Sequence, residues 1–189
     1  MQTDKNKVTD EVAVRMDRGR EITSKNLFGG NVEVVLRGPD GNVKYTEKGD
    51  NLVTDYGDDM LATRTILDSV EIVTGMKLAT AVTAASKAGA GSYQATGYLT
   101  GSQEALDTTA TEATKGAGLG WRTTYVCTWI AGDITDSAIG SVVLTNETPL
   151  TDVASVAGDT VARYVFAATI DKQAGDSLEV TWNIDFLGA

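Results

Sequence analysis

Apolar and polar residues alternate most cleanly at the C-terminal end of the chain. Leu178, Val180, Trp182, Ile184 and Phe186 interleave with Glu179, Thr181, Asn183 and Asp185. A period of two gives a strand one buried and one solvated face. The same pattern places Trp121, Thr123, Tyr125, Cys127 and Trp129 on one face of a strand, with Arg122, Thr124, Val126, Thr128 and Ile130 on the other; Ala131-Gly132-Asp133 ends it. Further strands are predicted at 139–145 and 161–170, the second stopping at the turn text of 171–176. Near the start, 31–37 reads as a strand and Val43, Tyr45 and Glu47 as the returning one. Gly38-Pro39-Asp40-Gly41 between them is hairpin chemistry, because proline fixes φ and glycine supplies φ > 0.

One stretch changes period. Leu52, Tyr56, Met60 and Leu61, then Ile66 or Leu67, recur at helical spacing. Thr54 or Asp55 can cap such a helix, and Asp58 and Asp59 favour its first turn through the helix dipole. The stretch predicts one helix of about three turns packed on a sheet. From 70 to 119 the composition turns to Ala, Thr, Gly and Ser. It fits strands at 70–73 and 76–82 and leaves helix open there. Most of 84–119 reads as long loops, a rare thing in compact domains without a functional or interface reason. Strands at short intervals with Gly- and Asp-rich turns predict a mainly β fold, an antiparallel β-sandwich of jelly-roll or Ig-like type with one short helix. The predicted organisation is an extended N-terminal arm over 1–28 and a single sandwich domain over 29–189.

Residues 1–28 alternate in sign, with Val8, Val12, Val14, Met16 and Ile22 the main apolar positions. Such a segment buries too little surface to offset its own ordering entropy. It reads either as a solvated tail or as an arm that orders only on a neighbouring subunit, and extended it reaches roughly 80–90 Å.

Charge and composition narrow the chemistry. The 189 residues hold 16 basic and 26 acidic side chains, one cysteine and no histidine, for a net charge of −10 and a pI near 4.4. One cysteine excludes an internal disulfide and a cysteine-based zinc site. Without histidine a Ser-His or Cys-His mechanism is impossible in this chain alone. The acidic balance disfavours nucleic acid as a partner. No run approaches the roughly 18 apolar residues of a membrane span, and Met1-Gln2-Thr3-Asp4-Lys5 lacks a signal-peptide profile. A protein made in the cytoplasm is expected.

Each remaining chemical candidate has a plainer account. Gly116-Ala117-Gly118-Leu119-Gly120 is glycine-dense, but no GK[ST] follows as a phosphate loop requires. Asp55, Asp58 and Asp59 lack calcium-loop spacing. Asp133, Asp136, Asp152 and Asp159 lie in predicted loops and read as turn formers, so no metal or cofactor is expected. Cys127 reads as a buried small hydrophobe, and the three tryptophans as core. Catalytic residues are not identified, and the chain is expected not to be an enzyme.

Several blocks in order resemble small structural proteins of tailed bacteriophages. They are Asn51-Leu52-Val53-Thr54 with Gly57 and Ala62, Gly120-Trp121-Arg122 with Tyr125 and Thr128-Trp129, and Ala162-Arg163 with Phe166. Ile170-Asp171-Lys172 and Gly175-Asp176-Ser177-Leu178-Glu179-Val180-Thr181-Trp182 complete the series. The likeness covers about residues 50–187. It implies a virion protein, first of all a capsid decoration or cement protein that bridges neighbouring major capsid proteins, as a homo-oligomer with a trimer favoured. A tail adaptor, collar or fibre-anchoring protein binding a neighbouring tail protein is the alternative. A glycan-binding module would use exposed aromatics, for which Tyr93 and Tyr98 are the candidates. The expected contact residues are Val12, Val14, Arg15, Arg18 and Arg20 in the arm and Pro39 and Asp40 at the hairpin tip.

Overall fold

The computed structural model describes residues 28–64, 71–116 and 120–186. Ten strands and one helix form two five-stranded sheets in which every pairing is antiparallel. The strands are β1 (Phe28–Arg37), β2 (Val43–Asp50), β3 (Leu52–Val53), β4 (Gly75–Ala79) and β5 (Glu104–Ala105). They continue as β6 (Glu112–Gly116), β7 (Gly120–Trp129), β8 (Asp136–Thr145), β9 (Thr160–Lys172) and β10 (Ser177–Phe186). One sheet has the order β2-β1-β10-β7-β6 and the other β3-β9-β8-β4-β5. This is the antiparallel sandwich that the alternation predicts.

The inner faces share one core. Val32, Val34 and Leu36 stand opposite Trp182, Val180 and Leu178, and Val180 and Leu178 oppose Cys127 and Trp129 on the far side. From the second sheet Met76, Leu78, Val142, Leu144 and Tyr164 complete the layer. The sheets are also tied at one edge. Glu47 of β2 accepts the Tyr164 hydroxyl at 2.5 Å and the Ala167 amide at 2.9 Å, both from β9, and takes the Tyr45 hydroxyl on its other oxygen.

The helix α1 (Asp55–Thr63) is capped by Thr54, whose Oγ1 accepts from the Gly57 amide at 2.9 Å and donates to the Thr160 carbonyl at 2.6 Å. The cap therefore closes the helix and fastens it to β9. The sequence pattern placed Leu52 in the helix; it lies in β3 instead, paired with Arg163. Ile66 and Leu67 fall outside the described residues.

Two further differences concern 70–119. Residues 71–74 are not strand, and Glu112–Gly116 is strand where loop was expected. The glycine-dense 116–120 joins β6 to β7, with Gly116 opposite Gly120, so it connects a hairpin rather than a strand and a helix. Within the loops expected over 84–119, Glu104–Ala105 is also a short strand and Gly89–Gly91 a 3-10 turn, and the strand expected to Val82 ends at Ala79. Residues 80–103 cover the outer face of the second sheet together with 146–159.

Candidate functional site

Two buried cations lie on that covered outer face, on either side of Val143 in the cross-strand row Arg163, Val143, Lys77. A buried ammonium needs a partner. Lys77 meets the Glu147 carboxylate and donates to the Val153 carbonyl at 2.8 Å. Burial raises the Glu147 pKa, but the hydrogen bonds from Lys77 and Thr151 outweigh it and the net shift is downward. Arg163 donates to the Gly91 carbonyl at 2.9 Å, while Gln94 exchanges two hydrogen bonds with Ser155 and donates to the Lys77 carbonyl. These bonds hold the loops down, while the buried Arg163 Nε carries no hydrogen bond.

The loop aspartates are not brought together. Asp133 accepts the Ile130 amide at 2.6 Å, Asp136 the Ala138 amide at 2.7 Å and Asp159 the Val156 amide at 2.9 Å. Asp152 accepts the Gly101 amide at 2.6 Å and the Tyr98 hydroxyl at 2.7 Å, which together hold its carboxyl below the ordinary range. Among the described residues no group of three or more His, Cys, Asp or Glu side chains could hold a metal ion. Cys127 is buried on the inner face, and burial pushes its thiol up, away from the reactive thiolate.

Tyr93 and Tyr98 are half-buried, the second with its hydroxyl engaged. The exposed aromatic is Trp121, at 53 % exposure, which the alternation placed in the core. The face was right and the cover was not. Trp121 pairs with Phe186 on the inner face at one end of the first sheet.

That end holds a groove of about 540 Å³. Tyr125 and Phe186 of the first sheet form one wall; Met60 and Leu61 of α1 with Ile72 and Leu106 form the other. Ile72 is 58 % exposed at its rim. Phe186 is also the register partner of Phe28, the first residue of β1.

Of the expected contact residues, Val12, Val14, Arg15, Arg18 and Arg20 lie outside the described residues. Pro39 and Asp40 are exposed at the β1–β2 tip. Asp40 accepts both the backbone and side-chain N–H of Asn42, at 3.0 and 2.6 Å, which lowers its pKa and fixes the turn with Gly41 at φ 79°. The tip is braced from below by Asp176, buried and paired with Lys44 at 2.7 Å, while the Lys172 ammonium donates to the Ile130 and Ile134 carbonyls between β7 and β8. The groove was not legible in the sequence. Its lining is scattered over five segments of the chain.

Comparison with protein-family models, curated proteins and solved structures finds no match for this chain.

Proposed function

We propose that this chain is a non-enzymatic structural protein of a tailed-bacteriophage virion, made in the host bacterial cytoplasm, where it acts as a capsid decoration or cement protein. The ordered resemblance of residues 50–187 supports the viral assignment. One geometric observation supports bridging: the arm joins β1 at Phe28 and the hairpin tip Pro39–Asp40 lies at the other end of the same ten-residue strand. Those ends are roughly 30 Å apart. A rigid sandwich thereby offers contacts at both ends, one on an arm and one on a braced turn. Copies joined as a homo-oligomer and clamped onto neighbouring major capsid proteins would add contact area against the pressure of packaged DNA. Multivalent attachment of this kind multiplies weak single contacts.

Gold-labelled antibody electron microscopy of particles tests the reading. Label over the head is the expected result. Label confined to the tail would replace it with the adaptor, collar or fibre-anchoring role, and unlabelled particles would overturn the virion assignment altogether. Deleting residues 1–25 should abolish binding to isolated shells while the far-ultraviolet spectrum stays that of a β protein. Undiminished binding by the shortened chain would remove the arm from the contact.

A further inference from the structure

Arg163 is 1 % exposed, and its two sides are served unequally. One terminal nitrogen donates to the Gly91 carbonyl at 2.9 Å, whereas Nε is a buried donor without an acceptor. Among the described residues the guanidinium forms no ion pair; burial lowers its pKa and no carboxylate offsets the shift. Lys77, two strands away in the same cross-strand row, is equally buried but meets Glu147. The covered face therefore holds two cations, of which one has its counter-charge.

A second unpartnered group lies on the same face. Ser141 is fully buried, and its hydroxyl has no hydrogen-bond partner. It stands opposite Val165 in the register of β8 and β9, and Arg163 follows two residues away on β9, opposite Val143. Positions diagonal to one another across an antiparallel pair lie roughly 7–8 Å apart, within reach of a long side chain. Native interiors rarely leave a buried donor or hydroxyl unpaired. Two on one face beneath one cover are best served by one shared guest. Water would satisfy the N–H and the hydroxyl but not the charge, and a buried cation without a counter-charge is costly.

We infer that Arg163 and Ser141 hold a small monovalent anion of the halide class beneath the 80–103 loops, with Nε–H and the hydroxyl both donating to it. One negative charge balances the guanidinium, whereas a divalent oxyanion would overshoot it and call for further donors. The cover accounts for retention. Gly91, which takes the other side of Arg163, ends the 3-10 turn Gly89–Gly91, and Gln94 is fastened to Ser155 and to the Lys77 carbonyl. An ion exchanges only when this segment lifts, so binding stabilises the covered state. The inference concerns the integrity of the sandwich and stands apart from the virion reading.

Crystals of the full chain grown in sodium bromide test the position. An anomalous peak in hydrogen-bonding contact with Arg163 Nε and Ser141 Oγ is the expected result. Density there without anomalous signal would mean water, and either that or no density would overturn the inference. In solution, the melting temperature should rise as chloride replaces gluconate at constant ionic strength. The rise should be roughly 2–4 °C once chloride reaches about five times its dissociation constant. Arg163→Met removes the charge and should abolish the dependence. Ser141→Ala keeps the charge, removes one donor and should weaken the dependence while the chain still folds. Equal melting in chloride and gluconate, or a chloride dependence that Ser141→Ala leaves unchanged, would overturn the inference. A bromide peak without any chloride dependence would mark an adventitious ion only.

Discussion

Glu47 shows how one side chain can join two sheets. Its carboxylate collects Tyr45 from its own strand and Tyr164 and the Ala167 amide from β9. Gly49, two residues on, makes room: a Cβ there would lie 2.2 Å from the Tyr164 hydroxyl. Burial, and then the hydrogen bond to Glu47, push the Tyr45 phenol up to about 12 from its ordinary 10.0. A raised folded value favours the protonated phenol in the folded state. Its contribution to stability is therefore whole below pH 10 and is lost as the pH rises toward about 12. Urea denaturation should give lower stability at pH 11.5 than at pH 8, and absorbance at 295 nm should place part of the tyrosine titration near pH 12. Glu47→Ala leaves two hydroxyls and an amide without their acceptor and should cost about 2 kcal/mol. It should also bring Tyr45 back toward 10. A variant as stable as the parent, with an unmoved titration, would show that the clasp carries no weight. None of this is legible in sequence, where Glu47 is simply the third inward position of a predicted strand.

At the scale of elements, the clearest strands are those whose two faces meet different surroundings. β10 and the β1–β2 hairpin were predicted from alternation because one face meets the core and the other meets water. β6 carries Glu112, Ala113 and Thr114, all exposed, so an edge strand of this kind leaves no alternation to read. β4 lies in the stretch that fits a strand at 76–82 and leaves helix open. It lacks alternation for the opposite reason: all five residues are buried, Lys77 included, because loops cover its outer face. The helix was legible from its period and cap, but its seat was not. Gly57 packs so closely on β9 that a Cβ would lie 2.0 Å from the Val161 carbonyl oxygen and 2.9 Å from a Val53 methyl. Propensity alone makes Gly57→Ala stabilising by about 1 kcal/mol. The clash is with backbone, which cannot swing aside, so α1 must shift and strain the Thr54 bond to Thr160. Overpacking outweighs propensity here, and thermal melting should show a net loss of about 1–3 kcal/mol. A higher melting temperature would mean that the helix rides on β9 more loosely than its geometry implies.

The whole molecule separates two kinds of information. The sequence blocks on which the proposed function rests fall largely on residues that determine the fold. Thr54 caps the helix and Gly57 seats it; Trp129 and Trp182 fill the core. Arg163, Lys172 and Asp176 are buried charges with fixed hydrogen bonds. The same blocks also include Trp121, exposed near the start of β7. Trp121 is the natural reporter there. Trp129 and Trp182 are fully buried, whereas Trp121 is half-exposed beside Phe186. In the chain lacking residues 1–26, acrylamide should quench one emission component readily and leave the others protected, and Trp121→Phe should abolish the accessible component. If the residues ahead of Phe28 cover Trp121, the full-length chain should protect that same component and shift its emission to the blue. Equal quenching of Trp121 in the full and shortened chains would mean that its exposed face meets solvent in both.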